Sequence, residues 1–258
     1  MLLHGGPGAP GHMAPIARRL AAGFRVLEPF QRGSGTRPLT VQVHIGDLHE
    51  VLEAERIDRA HLVGSSWGAM LALAFAAEHP NRATSLVLIG CGTFDGKLRS
   101  RFKEIVADRL GPAGQADMDQ LREIEPDLDA RLRKMVALLT PAYSYDLVTD
   151  DLENVSVDAR ANRESWDDML RLQAEGVYPQ AFRSIASPVL MLHGVSDPHP
   201  GPETRDGLLP FLPHLEYHAM AKCGHYPWLE REARDQFFGR LEDWLQAVSR
   251  THAAAHVT

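Results

Sequence analysis

The chain is short of cysteine, of long apolar runs and of positive charge, and each shortage excludes something. Two cysteines, Cys91 and Cys223, in 258 residues do not make a disulfide framework. The longest apolar run, residues 69–77, is far too short to cross a bilayer, so no membrane partner is expected. Met1 is followed directly by Leu2, Leu3 and His4, without the basic segment and apolar stretch of a signal peptide. A cytoplasmic setting is therefore expected. The formal charge of −7 and the pI near 6.0 argue against a nucleic acid as partner. Repeats and low-complexity blocks are also missing, and only residues 251–258 are expected to fray.

What is present is an alternation of short β-branched or leucine-rich runs with longer amphipathic stretches. That alternation predicts an α/β fold, a mostly parallel sheet flanked by helices. The expected strands are residues 2–4, 25–30, 61–64, 86–89, 189–193 and 215–220, several of them continuous apolar runs suited to burial on both faces. Helices are expected over residues 14–22, stopping at Gly23, and over 67–78, ending before Pro80. Near the end, Phe237, Leu241, Trp244 and Leu245 recur at helical spacing and predict a core-facing stripe. From residue 95 to 182 strand signals vanish. This stretch is charged, helix-prone and broken at Gly111-Pro112, Pro126 and Pro141. It predicts a helical cap inserted into a core made of residues 1–94 and 183–258.

The sharpest local signal is Gly64-Ser65-Ser66-Trp67-Gly68, between an apolar strand and an Ala/Leu-rich helix. A serine on a tight strand-to-helix turn needs small neighbours, and the turn lifts its hydroxyl clear of the sheet. Ser66 is thus the candidate nucleophile. His4-Gly5-Gly6-Pro7-Gly8 follows the first strand, and its glycines let backbone N–H groups approach a developing oxyanion. The N–H groups of Gly6 and Trp67 are the expected oxyanion hole.

A hydroxyl nucleophile needs a base, and the base needs an orienting acceptor. His225, in Cys223-Gly224-His225-Tyr226-Pro227-Trp228, leaves the last strand. Asp197, in Gly194-Val195-Ser196-Asp197-Pro198, leaves the strand before it. All three groups exit the same end of a parallel sheet, where open α/β folds bind ligands. His4 and His193 are expected to satisfy backbone hydrogen bonds, His199 to be an ordinary loop histidine, and His214 and His218 have no evident partner. No metal site is expected, because Cys223 and His225 are one residue apart and the other histidines are scattered. Cys91 and Cys223 end strands that should flank a third, a gap of about 9.6 Å at ordinary strand spacing. A disulfide rarely spans more than about 7 Å between Cα atoms.

Together these motifs resemble the α/β-hydrolase family, and within it the proline iminopeptidase-like branch. The likeness spans nearly the whole chain outside the insertion. His4-Gly5-Gly6-Pro7-Gly8 looks like that branch's oxyanion motif, Gln31-Arg32-Gly33-Ser34-Gly35 like its second glycine-rich loop, and the other two segments like its elbow and histidine loop. The chain order Ser66, Asp197, His225 is the one the family implies. The resemblance also offers an alternative acid, Asp95. Two departures stand out. Phe30 occupies the place of the branch's aspartate before Gln-Arg-Gly. The family's two strands before the oxyanion strand have no counterpart here, which predicts a sheet edge at residues 25–30 covered by a rearranged segment or by a second copy in a homo-oligomer, or else a natural N-terminal piece that this sequence lacks.

The function expected is hydrolysis of a small ester or amide through an acyl-enzyme, with no cofactor. An aminopeptidase acting on N-terminal proline is the alternative, and it needs a cap carboxylate such as Asp146, Glu153, Glu164 or Glu175 for the peptide's ammonium group. A non-catalytic ligand receptor on the same fold is the alternative of another class.

Overall fold

The structure, a computed structural model, describes residues 1–148 and 156–255. Five parallel strands form one sheet in the order β1 (Leu2–Leu3), β2 (Ala60–Ser65), β3 (Ala83–Ile89), β4 (Val189–Gly194), β5 (Leu215–Met220). Strands β3 and β4 are buried almost throughout, as expected where helices cover both faces. On one face lie α2 (Val41–Ala54) and α3 (Trp67–Glu78), packed with Leu62, Leu86, Leu88 and Met191. On the other lie α1 (Ala14–Leu20) and α8 (Arg234–Ala255), packed with Val63, Val87, Leu190 and Leu192. The predicted stripe of Phe237, Leu241, Trp244 and Leu245 is buried there.

Between β3 and β4 come α4 (Gly96–Ile124), α5 (Leu128–Tyr143) and α6 (Ala159–Ala174); α7 (Gly201–Leu208) follows β4. The expected break in α4 is present: Gly111 has φ 64° and ψ −179°, and Pro112 follows it. Pro126 separates α4 from α5, whereas Pro141 sits inside the last turn of α5 without ending it. Helices α4, α5 and α6 each start on an aspartate, Asp95, Asp127 and Asp158, whose carboxylate accepts from backbone N–H groups of the first turn.

Three expectations need correction. Residues 25–30 form no strand; Leu2 N–H donates to Leu27 O at 2.8 Å and the pairing goes no further. With β1 only two residues long and Pro29 lacking an N–H, a ladder has nothing to build on. Helix α2 was not anticipated, although Val41, Ile45, Leu48 and Leu52 are spaced for one buried face and Thr40 accepts from Val43 N–H as its cap. Residues 251–255 continue α8, with Thr251 Oγ1 donating to Ala247 O; residues 256–258 lie outside the described part. Among the described residues, no helix is long and apolar enough to cross a membrane.

Candidate active site

Ser66 stands between β2 and α3 with φ 53° and ψ −115°. A non-glycine residue in that region carries strain of order 1–3 kcal/mol, which the surroundings must hold. They do so by close packing. A Cβ on Gly64 would run into the Gly68 backbone, and one on Gly68 into the Leu3 carbonyl, so both glycines are required by contact. Ser66 N–H donates to Ile89 O at 2.8 Å, tying the turn to β3. Its neighbour Ser65 is buried with its hydroxyl unpartnered.

The loop after β1 lies directly against this turn: a Cβ on Gly5 would be 2.9 Å from the Ser66 Cβ. Gly5 N–H is committed to His12 Nε2 at 3.1 Å. Among the described residues the N–H groups of Gly6 and Trp67 have no acceptor, so two donors remain open beside Ser66. Gly6 has φ 49°. His4 accepts from Gln31 N–H through Nε2 at 3.0 Å, and its Nδ1 lies 3.0 Å from Gly5 O. His4 is thus a backbone anchor, as expected. Burial lowers its pKa to about 4 and that of His12 to about 3, which keeps both rings neutral.

His225 and Asp197 meet at the ends of β5 and β4. His225 Nδ1 is 2.7 Å from Asp197 Oδ2, both side chains being buried. Burial opposes the Asp197 charge, but the rings of His225, His193 and His199 around it hold its pKa well below the usual carboxylate range. His225 N–H donates to Tyr143 O at 2.7 Å, and Tyr143 sets its ring edge-on to the imidazole. Asp95 takes no part: it is exposed and accepts from Lys97 N–H and Leu98 N–H at the start of α4. Asp197, His199 and His225 offer atoms within 4.8 Å of one another, close enough for metal ligands, yet both Nδ1 atoms already point their protons at the carboxylate. Cys91 and Cys223 are free and buried.

Ser66, Gly6 and His225 line a single cavity of about 900 Å³. Phe102, Val136, Leu139 and Trp166 give it apolar walls. Arg99 and Lys103 from α4 and Arg133 and Lys134 from α5 give it four cations, of which Lys134 is paired with Glu125, and no carboxylate is among its described lining residues. Of the cap carboxylates, Asp146 pairs with Arg231, Glu164 with Arg160 and Glu175 with Arg171, none of them in the lining. Glu153 lies outside the described residues.

The alpha/beta hydrolase family model matches residues 1–239. The chain belongs to this family. Among relatives, it is 28% identical over 270 residues to 2-hydroxy-6-oxo-2,4-heptadienoate hydrolase of Pseudomonas putida, covering 96% of this chain and 88% of that one. An esterase from Exiguobacterium antarcticum superposes with a TM-score of 0.71 at 16% identity, over 95% of this chain and 90% of that one. Proline iminopeptidase of Mycobacterium smegmatis does so with a TM-score of 0.60 at 20% identity, over 97% and 90%. At those identities the two structures share the fold alone.

Four residues of this alpha/beta hydrolase matter to the site without having been singled out for it. Gly90, with φ 53°, passes beneath the Asp197–His225 pair, where a Cβ would be 2.8 Å from His225 Nδ1 and 3.1 Å from Asp197 Oδ2. Its place directly after a strand was the available signal. Gln31 bridges the loops, donating to His4 O and accepting from Trp67 Nε1–H at 2.9 Å each. It supplies the local hydrogen bonding that Phe30, 66% exposed, does not. Glu230 is fully buried and accepts from Gly224, Tyr145 and Asp146 N–H groups, fastening the histidine loop to the end of α5. His199, expected to be an ordinary loop residue, is instead bonded to Asp197 Oδ1 at 2.9 Å. His193 is the backbone anchor expected, through His199 O, and His214 does have a partner, Ser187 O at 2.7 Å.

Proposed function

We propose that this alpha/beta hydrolase is a serine hydrolase that opens a small carboxylic ester or amide through an acyl-enzyme. The observation that carries the reading is the single cavity into which Ser66, His225 and the Gly6 loop all open, with a buried carboxylate behind the imidazole. Ser66 Oγ attacks the carbonyl carbon as His225 Nε2 takes its proton, and Asp197 stabilises the imidazolium. The carbonyl oxygen gains its charge facing the open N–H groups of Gly6 and Trp67. The tetrahedral adduct collapses, the C–O or C–N bond breaks, and His225 protonates the leaving group. Water, deprotonated by His225, then attacks the acyl ester, releasing the acid and restoring Ser66. Residues 95–182 act as the cap over this cavity. A cytoplasmic setting accords with two free buried thiols.

A fluorophosphonate probe and a short-chain aryl ester test the proposal. Labelling should vanish in Ser66→Ala, and kcat/KM should fall by roughly 10³-fold or more. A folded wild-type protein that takes no label would favour the receptor reading, and Ser66→Ala retaining activity would overturn the mechanism.

The cations of the cap wall favour a second reading of the scissile bond. The Pseudomonas putida relative is named as a hydrolase of 2-hydroxy-6-oxo-2,4-heptadienoate, a carboxylate. A carboxylate-bearing ketone would suit a wall of Arg99, Lys103 and Arg133, and its carbon–carbon bond would be opened by the same residues. The proline iminopeptidase reading suits that wall least, because a substrate ammonium would face cations.

A further inference from the structure

Asp197 carries more than the candidate base. His225 Nδ1 occupies Oδ2 at 2.7 Å, while His199 occupies Oδ1 twice, with Nδ1 and its own backbone N–H each at 2.9 Å. The His199 ring is stacked between Phe102 of α4, 4.2 Å away at 22°, and His225, 4.8 Å away at 24°. His193 Nε2 holds the His199 carbonyl at 2.9 Å, so the loop has little freedom to withdraw. Two imidazoles thus bond one carboxylate, with His193 Nε2 3.5 Å from Oδ2 behind them, and the proposed mechanism uses only one of the three.

From this geometry we infer that His199 is a positioning residue: by donating to Oδ1 it fixes the rotation of the Asp197 carboxylate and divides its charge, which sets how firmly His225 holds a proton. A carboxylate turns about its Cβ–Cγ bond unless its oxygens are engaged, and two donors on Oδ1 leave Oδ2 facing His225. Each donor also draws charge from the carboxylate and weakens it as an acceptor for the imidazolium. For Nδ1 to donate, His199 must be the neutral tautomer with its proton there, or the cation. Burial lowers its pKa and favours the neutral ring.

The groups that face the pair are few. Besides the three histidines they are His12, Tyr143 and Tyr226, with Cys91, Cys223 and Tyr217 near Asp197. Burial raises the three tyrosines and both thiols, so none is charged near neutrality, and His12 is neutral above its value of about 3. From the cap, Arg109 holds the Ser196 carbonyl at 2.7 Å, and Lys103 and Arg133 line the cavity. These cations are the same in every variant below.

The inference rests on the serine-hydrolase reading and is tested apart from it. His199→Phe keeps a ring in the stack without an N–H; His199→Asn places an amide donor where Nδ1 stood. With less of its charge shared, Asp197 should stabilise the His225 imidazolium better, so His225 keeps its proton to higher pH. The acid limb of kcat/KM on a neutral ester, and the ¹⁵N titration of His225 by NMR, should both move up by roughly half to one pH unit in His199→Phe. The kcat should fall roughly tenfold with KM within about twofold. In His199→Asn the limb and the titration should return to the wild-type position. An unmoved titration in His199→Phe, or His199→Asn titrating like His199→Phe, would reduce His199 to a space-filling ring. Failure of the Ser66→Ala test would remove the hydrolase reading, yet the NMR titration would still decide the coupling.

Discussion

The sheet core and the helices inserted between β3 and β4 bury their side chains in opposite ways. Helix α3, directly behind Ser66, is buried at every position from 67 to 76. Helix α4, more than twice as long, buries only Val106, Met118 and Leu121, and α5 only Ala142. A side chain in the first region is held by neighbours on all sides, so a displacement there is resisted by the whole core. On the cavity wall of the second, Phe102 and Trp166 are held by rings of other elements, whereas Lys103 and Arg133 are exposed. The contrast separates two tasks. On the proposed function, the residues that do the chemistry are fixed by the core, and the residues that would meet the substrate's outer groups are on the inserted helices.

Two glycines with left-handed backbone break that contrast most severely. Gly90, in the core, has φ 53° and touches the His225–Asp197 pair; Gly111, in the cap, has φ 64° and nothing within 4 Å of its would-be Cβ. An alanine at either place carries a backbone penalty of about 1 kcal/mol or more. Only at residue 90 does the added methyl also displace the imidazole. Gly90→Ala should lower kcat/KM roughly 100-fold or more, since misplacement of about 1 Å has effects of that size. Gly111→Ala should leave kcat within about threefold while lowering Tm by a few degrees. Steady-state kinetics beside a thermal melt of each variant checks both, and similar kinetic losses in the two would dissolve the distinction.

A smaller effect probes the cap wall alone. Lys103→Gln combined with Arg133→Gln removes two exposed charges that line the cavity. For an aryl hemiester carrying a free carboxylate, KM should rise roughly tenfold, and for the matching neutral ester it should change less than about twofold, with kcat steady in both. Adding salt to the wild type should narrow the gap between the two esters, because exposed charges are screened over about 10 Å at 0.1 M. Equal response of both esters would leave the wall without a role in selection.

The same division explains what could be read from the sequence. Strands β3 and β4 were legible because burial on both faces writes a continuous apolar run, and the elbow because its serine stands between two closely spaced glycines where an apolar strand meets an Ala/Leu-rich helix. Residues 25–30 carry a strand-like run and yet form none, since pairing depends on the length of β1, a property of another segment. Helix α2 is legible in the spacing of Val41, Ile45, Leu48 and Leu52. Glu230 could not be read, because two of the three N–H groups it accepts from stand 85 and 84 positions away; His199 stands two positions from Asp197, but its role depends on the ring, 28 positions from that carboxylate, that holds the other oxygen. Asp95 and Asp197 show the same limit, both being aspartates shortly after a buried strand.

That pair sets the smallest expected effect. Asp95 Oδ1 accepts from Lys97 N–H at 2.8 Å and Leu98 N–H at 2.9 Å, so Asp95→Ala strips the cap from α4 and should cost about 1 kcal/mol of stability. Its carboxylate is exposed and has no imidazole partner among the described residues, so kcat/KM should stay within about twofold of wild type. Asp197→Ala instead leaves the buried His225 Nδ1–H without its acceptor and, on the proposed mechanism, the imidazolium without its counter-charge. Urea melts and ester kinetics on the two alanine variants therefore separate a helix cap from a catalytic acid. If Asp95→Ala lost activity on the scale of Asp197→Ala while keeping its stability, the start of α4 would belong to the chemistry, and the boundary between fixed core and selecting cap would have to move into the cap.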